Sequence, residues 1–205
     1  MQISQGKKAI FFIILILFLD QLIKVWIKTH MTLGEELHFL GKYGMLHFIE
    51  NNGMAFGMEW GGKPGKLILS IFRLLAIFAI GWYLSQLVKR NASTGLILAI
   101  SAILAGAIGN IIDSAFYGVI FNESTYTTAA VMFPEGGGYS SFLHGKVVDM
   151  FYFPIINSHW PDWSPFRPGQ SLIFFRPVFN LSDASITCGV FSIILFQKKM
   201  FRDLS

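Results

Sequence analysis

The sequence predicts an all-α membrane protein of four transmembrane helices joined in part by long outer loops. Two features of the composition support this class, since 53% of the 205 residues are hydrophobic and only 14% are charged. Soluble domains carry about 25% charged residues. The third observation is that four predominantly apolar runs have the length needed to cross a bilayer.

The four predicted spans cover about residues 9–27, 67–88, 94–120 and 178–197. The first follows two lysines, as the apolar part of a signal peptide would, but no small-residue cleavage site comes after it. We therefore interpret it as a retained anchor. No internal repeat or linker to a soluble domain separates the spans, so the sequence predicts a single membrane-embedded domain over residues 1–205.

Basic residues predict the orientation of the spans. They lie before the first span, between the second and third, and after the fourth, and these three places share one side of a four-span protein. Because lysine and arginine favour the cytoplasmic side, we expect both termini in the cytoplasm and both long loops outside. The residues are Lys7, Lys8, Lys89, Arg90, Lys198, Lys199 and Arg202.

The charge and cysteine content exclude several other classes. The net charge of +4 comes from short basic clusters beside apolar runs, which suits anionic lipid headgroups better than nucleic acid. The single cysteine, Cys188, excludes an intrachain disulfide and a Cys-based zinc cluster. Because it lies inside an apolar run, we interpret it as a small buried hydrophobic side chain.

Ionisable residues occur inside the predicted spans, where a carboxylate costs about 2.5–3.5 kcal/mol on insertion scales. Asp20 and Lys24 lie in the outer half of the first span, and Asp113 lies near the outer end of the third. Asp183 is expected about 7 Å below the outer start of the fourth, at 1.5 Å per residue. Three carboxylates therefore reach a similar depth. Asp20 and Lys24, four residues apart, can also simply neutralise each other.

Two of these acids follow an asparagine by three residues, in the pairs Asn110–Asp113 and Asn180–Asp183. The first pair could be a hydrogen-bond anchor between helices. Two such faces at matched depth are harder to explain by packing, and they favour a functional role for Asp183. Asp149 belongs to an outer loop, but its apolar neighbours could bring it back against the bundle.

Paired carboxylates in a low dielectric share a proton, so one can activate water while the other donates to a carbonyl oxygen or leaving amine. This pattern indicates aspartic peptidase chemistry. A serine hydrolase or zinc protease is disfavoured, because G-x-S-x-G and H-E-x-x-H are absent. A magnesium site built from the aspartates stays open. A small proton-coupled transporter and a non-catalytic lipid-binding membrane protein are two further hypotheses for the function.

Five short motifs follow one another along the chain: "DQLIK" at 20–24, "NNGMAFG" at 51–57, "GNIID" at 109–113, "VVDM" at 147–150 and "FNLSDA" at 179–184. In this order, on a chain with four predicted spans, they resemble lipoprotein signal peptidase (signal peptidase II), an aspartic peptidase of bacterial inner membranes. The resemblance covers nearly the whole length of the chain.

The resemblance implies that Asp149 and Asp183 form the catalytic pair, with no cofactor and no metal. It implies diacylglyceryl-modified prolipoproteins as substrates, cut before the lipidated cysteine, and inhibition by globomycin. We further expect contact with membrane lipids, a monomer and no nucleic-acid partner. The residues it implies as supporting or substrate-facing are Asp20, Lys24, Asn51, Gly53, Asn110, Asp113 and Asn180.

The family resemblance also implies a small β-rich cradle at the outer surface. Residues 45–60 agree with this locally, because two strand-like runs flank an Asn-Gly turn signal. Two departures from the family pattern stand out. Ser114 occupies the position after Asp113 where the family usually has arginine, and Arg73 or Arg176 are candidates to replace it. Residues 121–145 form an apparent insertion, predicted to be a flexible loop over the site.

Overall fold

The computed structural model describes residues 4–53, 62–154, 156–159, 163, 171–174 and 177–201. The chain forms a helix bundle with a small antiparallel sheet at one end, which agrees with the predicted fold class. A π-helical turn, Asp113–Tyr117, follows the third helix and leads into the short α4, Gly118–Ile120. The long helices are α1 (Gln5–His30), α2 (Gly62–Lys89), α3 (Thr94–Ile112) and α5 (Leu181–Met200).

Three helices of the described chain are long and apolar enough to cross a membrane, namely Gln5–His30, Pro64–Lys89 and Thr94–Ile120. The fourth predicted span forms the 20-residue α5, whose exposed side carries large apolar residues such as Phe191 and Leu195. Cys188 also lies on an exposed side of α5, so the interpretation of this residue as buried is wrong.

The fourth span begins later than predicted, at Leu181 instead of residue 178. Val178 and Phe179 form strand β6, and Asn180 then caps the helix with its side chain. An asparagine that accepts the backbone N–H three residues ahead ends the extended segment and starts the helix. Asp183 is therefore in the first turn of α5, and the prediction that it lies 7 Å inside the span is wrong.

Helices α3 and α5 pack at very short range because glycines line their interface. A Cβ on Gly109 would lie 2.0 Å from Ser182 Oγ, and one on Gly106 would lie 2.2 Å from the Ser182 carbonyl oxygen. From the other helix, a Cβ on Gly189 would lie 2.7 Å from the Ala99 carbonyl oxygen. Small residues let helix backbones approach closely in membranes, and here they bring the start of α5 beside the end of α3.

The main sheet has four antiparallel strands, which lie side by side in the order β1 (Glu36–His38), β2 (Met45–Asn51), β3 (Val147–Tyr152) and β6 (Val178–Phe179). The strand β2 pairs with β3 so that Ile49 faces Asp149, and β3 pairs with β6 so that Phe151 faces Phe179. The second strand-like run, predicted after residue 53, falls within residues 54–61, which lie outside the described part of the chain. Two further strands, β4 (Ile156–His159) and β5 (Ser171–Phe174), pair with each other in a separate two-stranded sheet.

A buried apolar cluster joins the sheet to the helix bundle. Ile27 and Met31 from the end of α1 pack with Phe48 of β2, Val148 of β3 and Phe121 after α4. All five side chains are almost completely buried. This core holds β3 against the ends of α1 and α3, which is where the polar residues of the spans are found.

Candidate active site

Asp149 lies in the middle of β3, and the strand directs its carboxylate toward the helix bundle. The residue is 5% exposed. Asn51, at the end of β2, donates from Nδ2 to Asp149 Oδ2 at 2.5 Å. Asn180 donates from Nδ2 to Asp149 Oδ1 at 2.7 Å. Both carboxylate oxygens are thus held by amide groups from two different elements.

Asp183 lies in the first turn of α5, where it forms a reciprocal cap with Asn180. The Asp183 backbone N–H donates to Asn180 Oδ1 at 2.9 Å, and the Asn180 N–H donates to Asp183 Oδ2 at 3.3 Å. Asn110 of α3 donates from Nδ2 to Asp183 Oδ1 at 2.8 Å. The positive end of the helix dipole favours a negative charge at this position.

The two asparagines connect the two aspartates. Asn180 Nδ2, which contacts Asp149, also lies 3.0 Å from Asn110 Oδ1, and Asn110 Nδ2 contacts Asp183. Among the hydrogen bonds of the described residues, none joins Asp149 and Asp183 directly. The structure therefore brings Asp149, Asp183, Asn110 and Asn180 together. The asparagine amides lie between the two acids, whereas the sequence predicts a proton shared between the acids.

Lys24 lies at the centre of a second, fully buried group of charges. Its Nζ is 2.9 Å from Asp20 Oδ2 and 2.9 Å from Asp113 Oδ2, and it donates to Asn110 Oδ1 at 3.1 Å. The sequence suggested that Asp20 and Lys24 neutralise each other, and the structure adds Asp113 as a second counter-ion. This group is continuous with the aspartate pair through Asn110.

The acids of this group also hold backbone atoms in place. Asp20 Oδ1 accepts the N–H of Ser182 at 2.9 Å, at the start of α5. Asp113 Oδ2 accepts the N–H of Val148 at 3.3 Å, next to Asp149 in β3. The chain segments that carry both candidate catalytic acids are thus anchored to carboxylates from α1 and from the end of α3.

Sequence reasoning missed Gln21 and Tyr117. Gln21 Nε2 lies 3.1 Å from Asp20 Oδ2 and 3.0 Å from Asp113 Oδ1, and Tyr117 donates its hydroxyl to Gln21 Oε1 at 3.1 Å. A glutamine inside an apolar span was the available signal, because such a side chain needs a hydrogen-bond partner. Tyr117 could not have been found, since its partner is 96 residues away along the chain.

Arg73, one of the two candidate replacements for the missing arginine, reaches the turn after β2. Its Nη2 donates to the Gly53 carbonyl oxygen at 2.5 Å, and its charge is attracted first by Asp183 and then by Asp113 and Asp149. Ser114 instead turns its hydroxyl back to the Asn110 carbonyl oxygen at 3.1 Å. Arg176, the other candidate, lies outside the described residues.

Gly53 has a backbone conformation that favours glycine, and it lies directly against the Arg73 side chain. Its φ is +89°, and a Cβ there would lie 2.7 Å from Arg73 Nη1. Its N–H donates to Asn51 Oδ1 at 2.6 Å, so the turn fixes the amide that contacts Asp149. The "NNG" segment thus connects Arg73 with the acid through one short turn.

Burial raises the pKa of Asp149 from its ordinary 3.8 to about 8. The negative charge of Asp183 is the second contribution to this rise in pKa, whereas the charge of Lys24 and the hydrogen bond from Asn180 act in the opposite direction. Asp149 is therefore protonated at neutral pH. A protonated carboxyl beside a second acid has the properties of a proton donor.

The comparison with known families decides between these hypotheses for the function. The family model described as "Signal peptidase (SPase) II" matches residues 12–199. The chain belongs to the signal peptidase II family. The resemblance seen in the sequence is confirmed, and the chain is a peptidase of the bacterial inner membrane with several spans. Nothing in the comparisons supports a transporter or a non-catalytic lipid-binding protein.

Individual relatives agree with this signal peptidase II assignment. A protein named lipoprotein signal peptidase from Porphyromonas gingivalis strain ATCC 33277 is 46% identical over 195 residues, covering 95% of this chain and 84% of that protein. One of the same name from Amoebophilus asiaticus strain 5a2 is 36% identical over 188 residues, covering 90% and 75%. A solved "bacterial membrane enzyme structure" has a TM-score of 0.59 at 24% identity, covering 94% and 88%, which shows the same fold.

Proposed function

We propose that this signal peptidase II is an aspartic endopeptidase that cuts diacylglyceryl-modified prolipoproteins before the lipidated cysteine. The observation that carries the proposal is the convergence of Asp149 and Asp183 on one pair of asparagines, Asn110 and Asn180. The lipoprotein substrate class is supported by the family and by the names of the relatives.

In the proposed mechanism, Asp183 is the base and Asp149 the acid. Asp183 takes a proton from a water molecule whose oxygen attacks the scissile carbonyl carbon, while Asp149 donates its proton to the carbonyl oxygen. The tetrahedral diol then collapses: Asp149 takes back a proton from the diol as the carbonyl reforms, the C–N bond breaks, and Asp183 gives its proton to the leaving amine. The raised pKa of Asp149 and the helix N-terminus beside Asp183 support this division of roles.

The supporting residues act by positioning the two acids. Asn51 and Asn180 hold Asp149, and Asn110 holds Asp183. Gly53 permits the turn that orients Asn51, and Arg73 fixes that turn and directs its charge toward the acids.

The remaining members of the proposed set, Asp20, Lys24 and Asp113, anchor β3 and the start of α5. The proposed unit is a single domain of residues 1–205, active as a monomer.

We propose that both termini are cytoplasmic and that the sheet end of the bundle, with the site, lies at the outer face. The basic residues near the helix ends support this orientation. A reporter fused after Phe201 should lie in the cytoplasm, and one inserted near Gly137 should lie on the outer side of the membrane. The reverse pattern would put the acids at the cytoplasmic face and contradict the orientation.

Cleavage should decline in alkaline solution, with an apparent pKa near 8. Asp149 has to carry a proton to act as the acid, and it loses that proton as the pH rises through about 8. The measurement is kcat/KM for a lipidated precursor in detergent between pH 5.5 and about 9.5. A rate that stays constant to the top of this range would contradict the assignment of Asp149 as the acid. The apparent value describes the interacting pair of acids.

Stability should follow the same proton. The folded protein retains it between pH about 4 and 8 while the unfolded chain releases it, so the free energy of unfolding falls as the pH rises across this window. The Asp149→Asn variant carries no such proton. The thermal midpoint of the variant minus that of the wild type, measured at each pH, should therefore increase between pH 5 and 8.

The decisive experiment is cleavage of a purified diacylglyceryl-modified precursor, with the same precursor lacking the lipid as the matched control. The proposal predicts one cut, directly before the modified cysteine, and little or no cut without the lipid. Cleavage should survive excess chelator, since two acids activate the water, and globomycin should block it. A loss of activity that magnesium restores would favour a metal mechanism, and equal cleavage of both precursors would remove the lipid requirement.

A further inference from the structure

An apolar surface continues from the π-helical turn and α4 onto the 121–145 segment. Phe116 and Val119 lie on the exposed side of the helical end, and Phe133 and Phe142 of the segment are 74% and 55% exposed. The rings of Phe116 and Phe142 meet edge to face with centroids 5.7 Å apart. We call this surface the aromatic ledge, and its residues are Phe116, Val119, Val131, Met132, Phe133 and Phe142.

The ledge is held firmly, in contrast to the flexible loop predicted from the sequence. Ser140 donates its N–H to the Gly118 carbonyl oxygen at 2.8 Å, and Phe133 donates its N–H to the Ile120 carbonyl oxygen at 2.7 Å. A Cβ on Gly138 would lie 2.2 Å from the Gly118 carbonyl oxygen. The segment therefore lies backbone to backbone against the last turns of the spanning helix, at a distance that only glycine allows.

Backbone strain accompanies the exposed rings. Phe133 has φ +52° and Leu143, next to Phe142, has φ +65°. Residues with a Cβ rarely adopt the left-handed conformation. Such outliers persist where the surrounding structure enforces them, and they point to a functional constraint. At both places the backbone N–H donates to a carbonyl oxygen of the helical end, from Phe133 to Ile120 at 2.7 Å and from Leu143 to Ala115 at 3.3 Å. Packing of the segment against the helix thus enforces the strained turns and holds a phenylalanine ring on the outside of the protein.

The charged side chains of the segment mark the limit of the ledge. Glu123 and Lys146 pair with each other at 2.9 Å, and Lys146 lies 3.9 Å from Glu50 at the edge of the sheet. Glu135 is exposed in the turn two residues after Phe133. The six residues of the ledge are all apolar, so this part of the surface suits hydrocarbon, and the neighbouring charges suit water and headgroups.

We propose that the aromatic ledge is inserted into the membrane, at the boundary between hydrocarbon and headgroups. The occupant is lipid because two residues of the ledge, Phe116 and Val119, are themselves exposed residues of the Thr94–Ile120 helix, which is long and apolar enough to cross a membrane. Phenylalanine is among the side chains that bury at the boundary between headgroups and acyl chains. The ledge thereby fixes the depth of the π-helical turn and the position of β3 relative to the bilayer surface. That the leaflet is the outer one rests on the proposed orientation.

The test uses single cysteines in a Cys188→Ser background, which removes the one native thiol. Phe133→Cys and Phe142→Cys probe the ledge, and Thr127→Cys, exposed in the same segment, is the matched control. Each protein is labelled with an environment-sensitive fluorophore and reconstituted into phosphatidylcholine vesicles that contain lipids spin-labelled at a shallow acyl position. A thermal midpoint close to that of the unlabelled wild type, measured in detergent, confirms that each labelled protein is folded.

We expect the spin-labelled lipid to quench the fluorophores at positions 133 and 142 at least about threefold more than the one at 127, with iodide acting in the reverse order. Equal iodide quenching at all three positions would show that the ledge lies in water and overturn the proposal. Protection from both quenchers would indicate a protein contact, such as a second copy of the chain, and would overturn it as well. These outcomes do not depend on whether the precursor is the correct substrate.

Discussion

Replacing either Asp149 or Asp183 by asparagine should lower single-turnover cleavage of a lipidated precursor by about 10²–10⁴-fold. Asparagine keeps the size of the side chain and part of its hydrogen bonding, but it cannot take up or release the proton. Because the two acids act as a unit, the double variant should be scarcely slower than either single variant. The thermal midpoint measured in the same detergent separates a loss of chemistry from a loss of folding.

Asp113→Asn is the matched control for this pair, since it makes the same change in a third acid of the network. Asp113 contacts Lys24, Gln21 and the backbone of β3. We expect it to reduce the thermal midpoint and the folded yield more than the rate of the folded fraction. If Asp149→Asn cleaves at the wild-type rate while folded Asp113→Asn is inactive, the catalytic pair is Asp113 and Asp183, and the proposed assignment is wrong.

Replacing Lys24 by methionine should destabilise the protein by about 3–5 kcal/mol, the usual loss when one partner of a buried ion pair is removed. Lys24, Asp20 and Asp113 are all 0% exposed, and the ammonium group is 2.9 Å from each carboxylate. Without it, two buried carboxylates would remain with no cation in direct contact. Lys7→Met, the same change at an exposed position of the same helix, should leave the thermal midpoint nearly unchanged.

A compensated variant distinguishes this cause from a simple packing defect. Lys24→Met combined with Asp20→Asn and Asp113→Asn leaves no net charge in the group, so it should recover much of the lost thermal stability. The double variant Asp20→Asn, Asp113→Asn keeps Lys24 and would bury an unpaired ammonium group, so its thermal midpoint should stay below that of the wild type. If the triple variant is no more stable than Lys24→Met, charge balance is not what Lys24 contributes.

The membrane class, the approximate positions of the helices and the family were all predictable from the amino-acid sequence. Hydropathy and charge are local properties, so 94–120 was predicted as a span and the structure has one at Thr94–Ile120. The polar residues inside apolar runs were equally visible, because a buried carboxylate or amide stands out against its neighbours. The order of five short motifs then led to signal peptidase II, which the family match to residues 12–199 confirms.

The partner of each of these polar groups, by contrast, is visible only in the folded chain. Asn180 looked like a helical residue on one face with Asp183, but pairing of β6 with β3 ends the strand there and makes Asn180 the cap of α5. Lys24 had one partner in the sequence and has a second, Asp113, because the third helix lies against the first. The bonds between Asn180 and Asp149 and from Arg73 to Gly53 likewise join segments that are distant along the chain.

The physical reason is the same in each case. A buried polar group has to be satisfied, and the sequence shows that need wherever such a group occurs. Which group satisfies it depends on the register of the strands and on the close packing of α3 with α5, where Gly106 and Gly109 allow contact at backbone distance. These are long-range properties of the folded chain, so the need for a partner could be predicted from the sequence, whereas the partner itself could not.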